Sequence, residues 1–208
     1  MFTAVGAGAV AGSRGLGRLT IHLMTTACVT RWHQQWWLVL QLISRLSSLT
    51  AAEEQQLALS GTTVTVSSVF SSGVPDRLYD GDTGTHWHST NVLSWPEWIL
   101  VDVGAGQELA VTQYSIRSRA VGPVHWQYDS PVDFELQASN ISSGAWTTLH
   151  NVSSLIWSQG GQIAEFIVPP ASRRNCRYYR LSFTAIRQPR SNGDKFVVLS
   201  ELQLHYGG

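Results

Sequence analysis

The sequence predicts an all-β fold, a sandwich or barrel of short antiparallel strands, over residues 59–208 of a 208-residue chain. Three observations carry this. Segments in which apolar and polar residues alternate with period 2 recur at short spacing between residues 62 and 205. Turn chemistry separates them, at Asp80-Gly81, Gly104, Ser142-Ser143-Gly144, Pro169-Pro170 and Asn192-Gly193. Charged residues are only 13 % of the chain against 43 % apolar, a balance that suits strands and polar turns better than helices with Lys- and Glu-rich surfaces.

Taken in order, residues 46–59 have helical periodicity and good helix formers, and read as a short linker helix. Strands are expected over residues 62–67, 98–103, 111–119, 132–138, 163–168, 178–184 and 196–205. Val132, Phe134 and Leu136 share one face of theirs, and Tyr178 and Tyr179 point to opposite faces, so one of the two tyrosines is buried. With no convincing helix between these segments, the pattern is that of a sandwich or barrel. Trp87, Trp98 and Trp146 are assigned to the core, because large aromatics at strand ends are more often packing than ligand platforms. Trp95, beside Pro96 in a loop, is the expected exposed apolar spike.

The first 58 residues read as a leader plus the linker helix. Arg14, Arg18, Arg31 and Arg45 precede the first acid, Glu53, so the leader carries +4 and the remainder −4, within a net charge of zero. An acid-free, Arg- and Ser-containing start suits a targeting segment. A signal peptide initiating at Met24 has Arg31 ahead of an apolar run at residues 36–43 and small residues at Ala51 and Ala52 for cleavage. Arg45 interrupts that run, and an organellar transit peptide or a cytosolic tail also fits. The run is far short of the ~20 residues that a membrane span needs. The expected location is secreted or cell-surface, with organellar import or the cytosol as alternatives. Of the two cysteines, Cys28 lies in the leader, so the mature domain keeps Cys176 alone and no internal disulfide. Sequons at Asn140 and Asn151 are used only if the chain enters a secretory lumen. A neutral chain carries no electrostatic footprint for nucleic acid or an anionic membrane.

Six landmarks then occur in order: residues 66–69 (VSSV), 80–89 (DGDTGTHWHS), 98–104 (WILVDVG), 136–140 (LQASN) followed by Trp146, 177–181 (RYYRL) and 199–204 (LSELQL). Together they resemble the discoidin family, which includes the coagulation factor V/VIII type C domains and the family 32 carbohydrate-binding modules of bacterial glycosidases. The likeness covers residues ~61–206, with Asn140 and an inserted Ile-Ser-Ser replacing a short turn. It implies an antiparallel jelly-roll β-sandwich, galactose-binding-domain-like, with ligand loops at one end.

Asp80-x-Asp82-x-x-Thr85 offers alternating oxygen ligands of the kind that hard cations such as calcium take. It also reads as a polar turn in which Asp80 caps its own backbone and Glu201 pairs with an arginine. The resemblance implies a structural calcium ion held by Asp80, Asp82, Thr85 and Glu201, with Arg77 and Ser200 contributing carbonyl oxygens only. It also implies a galactose-type glycan site at His88, which follows Trp87, at Arg119 on a strand end, and at Phe196, five residues before Glu201. Donors beside an aromatic ring suit a sugar's hydroxyls and C–H face. Taken singly, Phe196 reads as core, Arg119 as a solvated strand end and His88 as a surface loop residue. Trp126 and Tyr128 either extend the platform or pack, and the loop 187–195, with three Arg or Lys, suits an acidic sugar or another polyanion. No phosphate loop, His-Glu-x-x-His helix or Gly-x-Ser-x-Gly elbow occurs, and Asp80 with Asp82 on one tight turn suits an ion better than an acid pair. The expected function is non-catalytic glycan binding. The alternatives are a protein-interaction or cell-adhesion module, or a phospholipid-binding type C domain with several exposed apolar spikes over a basic ring.

Overall fold

Alternation becomes strand almost everywhere it was read. The structure is a computed structural model and describes residues 54–207 apart from Pro123. Two antiparallel sheets face each other. One is built on Thr63–Val66 (β2), Glu97–Asp102 (β4), Tyr178–Ile186 (β10), Pro131–Ser139 (β6) and Thr147–Val152 (β7), adjacent in that order. The other runs Gln55–Gln56 (β1), Val198–Tyr206 (β11), Leu109–Ser118 (β5) and Ile163–Ile167 (β8), with Trp87–His88 (β3) on β11 and Asn175–Cys176 (β9) on β5. The inner faces bury Ile99 and Val101 from β4, Phe134 and Leu136 from β6, and Tyr179, Leu181 and Phe183 from β10. Against them lie Val111, Tyr114 and Ile116 from β5 and Leu202 and Leu204 from β11. Each such side chain contributes about 1.5–3 kcal/mol by leaving water. Tyr179 is the buried tyrosine of its pair and Tyr178 is half-buried. Among the described residues, no helix is long and apolar enough to cross a membrane.

Four expectations need correction. Gln55–Gln56 is strand, not helix: it pairs with His205 and Tyr206, and the Leu57 N–H donates to the Leu204 carbonyl at 2.8 Å. The open edge of β11 offers ladder hydrogen bonds that outweigh the segment's helix propensity. The rest of that linker, and the whole leader with Cys28, lie outside the described residues.

Of the three tryptophans assigned to the core, only Trp87 is there, fully buried. Trp98 alternates with Ile99 and is half-buried, because Glu97 takes the inward parity with Ile99 and Val101, accepting hydrogen bonds from the Ser67 and Ser68 hydroxyls. Trp146 is half-buried under the Arg180 guanidinium, 4.2 Å from its ring centre. The second buried tryptophan is Trp157, whose Nε1 donates to the Pro131 carbonyl at 2.7 Å.

Trp95 is not a spike. It is half-buried and packs on the core, while nearby Leu93 stands 93 % exposed. β7 was not anticipated at all. Its ladder slips where Leu136 faces His150 and Gln137 faces Thr148, so Leu149 is an extra, bulged residue. Its two buried residues, Leu149 and Val152, are then three apart, and period 2 is lost.

Candidate functional site

At the strand ends lies a cleft of about 270 Å³. One wall is residues 70–73. The Phe70 N–H donates to the His88 carbonyl at 2.8 Å, and the His88 N–H donates to the Gly73 carbonyl at 3.2 Å. Gly73 is required by this approach: a Cβ there would lie 2.6 Å from the His88 Cβ. Trp87 anchors β3 from behind, its Nε1 donating to the Ser68 carbonyl at 3.0 Å. That places the flanking His86 and His88 in the cleft.

The aromatic surface here is Phe70, 50 % exposed. Its ring centre is 5.0 Å from the His88 ring and 5.8 Å from that of Phe196. Phe196 itself is buried. Its ring is 4.7 Å from His88 in an edge arrangement, and the Arg190 guanidinium covers it at 4.4 Å. Phe196 therefore supports the wall rather than forming its surface. Phe70 was not singled out from the sequence, although a lone Phe in a Ser- and Gly-rich turn, with no alternating partner to bury it, was a readable signal.

Arg119 follows β5 directly, and Arg190 enters from the loop 187–195. That loop turns on Gly193, whose φ of 85° favours glycine, and Gly193 N–H donates to the Arg190 carbonyl at 2.8 Å. Both guanidiniums meet Asp129, whose side chain is 1 % exposed at the end of a single helical turn, Trp126–Asp129. Arg119 Nη1 lies 3.4 Å from Oδ2. Arg190 donates to both oxygens, from Nε at 3.1 Å and from Nη2 at 2.6 Å. Nothing in the sequence links residues 119, 129 and 190; only the fold does.

Burial shifts the three imidazoles of the cleft toward the neutral form. Burial, then the charge of Arg119 and the neighbouring His88, pushes His86 down to about 4. Burial lowers His88 against the opposing pull of the Ser89 carbonyl and Asp129. Burial, then Arg119, lowers His125, which also lines the cleft. His88 Nδ1 is 2.7 Å from the Ser89 carbonyl, which can only accept, so Nδ1 carries the proton and Nε2 presents a lone pair. Guanidinium donors, an imidazole acceptor and an aromatic ring thus share one cleft.

Of the residues expected at this site, the fold brings His88, Arg119 and Phe196 together and leaves Trp126 out. Trp126 packs against the core with the Arg187 guanidinium 5.0 Å from its ring.

The acidic loop is a set of side-chain turns. Asp80 accepts from the Asp82 N–H at 2.9 Å and the Thr85 hydroxyl at 2.7 Å, and pairs with Arg77 at 3.4 Å. Asp82 accepts from the Gly84 N–H at 2.8 Å. Burial acts upward on Asp80, but the bonds from Thr85, the Asp82 N–H and Arg77 outweigh it and hold its carboxyl below the usual range. Glu201, on β11, behaves in the opposite way. Burial and then the charges of Asp80 and Asp82 push its carboxyl up, and its Oε1 is buried with no partner among the described residues. Ser200 sits in a β11 bulge, fully buried, its Oγ accepting from the Ala120 N–H at 3.3 Å. Among the described residues, no three His, Cys, Asp or Glu side chains converge closely enough to hold a metal ion by themselves.

No family model and no curated protein sequence matches the chain. Solved structures do. A family 32 carbohydrate-binding module of Clostridium perfringens NanJ, solved with galactose, is 17 % identical at a TM-score of 0.55, covering 74 % of this chain and 99 % of that one. Chitosan-binding module 1 of a Paenibacillus sp. IK-5 chitosanase/glucanase is 25 % identical at 0.52, covering 72 % and 98 %. An F5/8 type C domain from Bacteroides fragilis is 15 % identical at 0.56, covering 74 % and 97 %. Likeness at this level is one of architecture, and it agrees with the strand order and the landmarks above: the described residues form a discoidin-like β-sandwich.

Proposed function

We propose that this domain is a non-catalytic glycan-binding module, that its site is the cleft between Phe70 and the Arg119–Arg190 pair, and that it recognises a galactose-type sugar. The observation that carries this is the half-exposed Phe70 ring standing 5.0 Å from His88 beside two fixed guanidiniums. Arg119 donates to sugar hydroxyls, His88 Nε2 accepts a hydroxyl proton, and Phe70 takes the C–H face. This division of labour matches a polar, amphipathic ligand. The NanJ and Paenibacillus modules bind galactose and chitosan, which is consistent with a saccharide here.

A glycan array probed with the full chain in calcium tests this. Galactose-type hits are expected, with affinity falling about tenfold or more in Phe70→Ala and His88→Ala. Phe70→Ala is the cleaner variant, since half of that ring is already in solvent. A folded chain that binds no glycan overturns the proposal.

We further propose a structural calcium ion beside β11, held by Asp80, Asp82, Thr85 and Glu201 with carbonyl oxygens of Arg77 and Ser200. The buried Oε1 of Glu201, which has no partner among the described residues, supports it, as does the carboxyl's upward shift by burial and then by Asp80. Bound there, the cation would neutralise the clustered carboxylates and tie residues 80–85 to the last strand. Chelation is then expected to lower the melting temperature by several degrees, since an ion at ~100 times its Kd adds about 2.7 kcal/mol. An unchanged melt in chelator removes the ion from the account.

A further inference from the structure

The cleft's charge does not suit a neutral sugar alone. Its lining contains two arginines and three histidines and no Asp or Glu. The one neutralising carboxylate, Asp129, is turned inward, 1 % exposed, and is shared by both guanidiniums, so one positive charge is left over. This is local and not a bias of the domain, because residues from Glu53 onward carry −4.

Donors also outnumber acceptors. Arg119 Nε is buried with no partner among the described residues. Arg190 meets Asp129 through Nε and Nη2, which leaves Nη1 for a ligand. The side-chain acceptors are imidazole lone pairs and the Ser71 and Ser72 hydroxyls, which also donate; burial first, and the Arg119 charge second, lower the pKa of His86 and His125. Hydroxyls both donate and accept, whereas carboxylate and sulfate oxygens only accept; a donor-rich, positive site favours the latter. The half-exposed Phe70 ring argues for a sugar ring bearing the charge, and the cleft has the size of a small-ligand site, not of a duplex groove.

We infer that the cleft selects a saccharide carrying an anionic group, a uronate or a sulfate ester, seated on Arg119 and Arg190 with the sugar ring against Phe70. This rests on the glycan-binding reading above and narrows its substrate class.

Calorimetric titration of the full chain with digalacturonate, galactose 6-sulfate and neutral galactobiose tests it. At least one acidic ligand is expected to bind about tenfold or more tighter than the neutral one, as charge-assisted bonds allow. The advantage should shrink as salt rises from about 50 mM to about 0.5 M. Which acidic ligand leads tells carboxylate from sulfate. Arg190→Gln should remove most of the advantage, and the salt series on the unaltered chain stands even if that variant folds poorly. Galactobiose binding as tightly as both acids overturns the inference and leaves glycan binding intact. An acid preference that is indifferent to salt overturns it as well. Failure of all three saccharides to bind the folded chain overturns both.

Discussion

Trp87→Ala is expected to lower the stability of the domain by about 3–5 kcal/mol, the range for a large aromatic removed from a packed core. The indole is fully buried, lies 6.2 Å from the Phe183 ring, and satisfies the Ser68 carbonyl through Nε1 at 3.0 Å. Truncation leaves a cavity between the sheets and an unpaired carbonyl. It also frees β3, which the indole pins against β11, so His86 and His88 lose their positions together. Urea unfolding followed by fluorescence or circular dichroism measures the loss. Trp98→Ala is the control: its ring is half-buried and outside the core, and its cost should be about 1 kcal/mol. Equal losses for the two would mean that the inner and outer faces of β4 are wrongly assigned.

Asp129→Asn should have the second large effect. The amide keeps the shape of the carboxylate but removes the charge between Arg119 and Arg190, leaving two guanidiniums facing one neutral group. Breaking a fully buried pair costs about 3–5 kcal/mol. Arg119 and Arg190 are 16 % and 29 % exposed, so solvent relieves part of this and about 2 kcal/mol is expected. Saccharide affinity should fall with it, because the donors splay apart. A double-mutant cycle with Arg190→Gln should show strong coupling. Normal binding by a folded Asp129→Asn chain would show that the guanidiniums are placed by something else.

Much of the sandwich was legible because period 2 is a local code. A strand with one face in the core must alternate; β2, β4 and β8 do so throughout, and β5, β6, β10 and β11 over enough of their length to be read despite bulges. β7 was not legible, since the Leu149 bulge that breaks its alternation exists only against β6. β1 was misread, since its strand character comes from the edge of β11, some 150 positions away, and not from its own residues. The tryptophans divide in the same way. Composition says that such rings pack, but the parity of each position against a partner strand decides which do. Trp87 and Trp157 pack inside, Trp98 and Trp146 lie half-buried outside, and Trp95 leans on the core where Leu93 projects.

By itself, the sequence determined the fold class, most strands, and the residue types available at the strand ends: His88 after Trp87, Arg119 closing β5, Phe196 before β11. Tertiary structure alone decided which of them share a site and what each presents. It buried Phe196 beneath Arg190 and left Phe70 as the accessible ring. It set Trp126 aside, and it joined Arg119 and Arg190 through a buried Asp129 that no local pattern marks. The physical reason is one of range. Alternation and turn chemistry act between neighbours along the chain, whereas charge pairing and ring contacts act across about 4–6 Å of space between segments tens of residues apart.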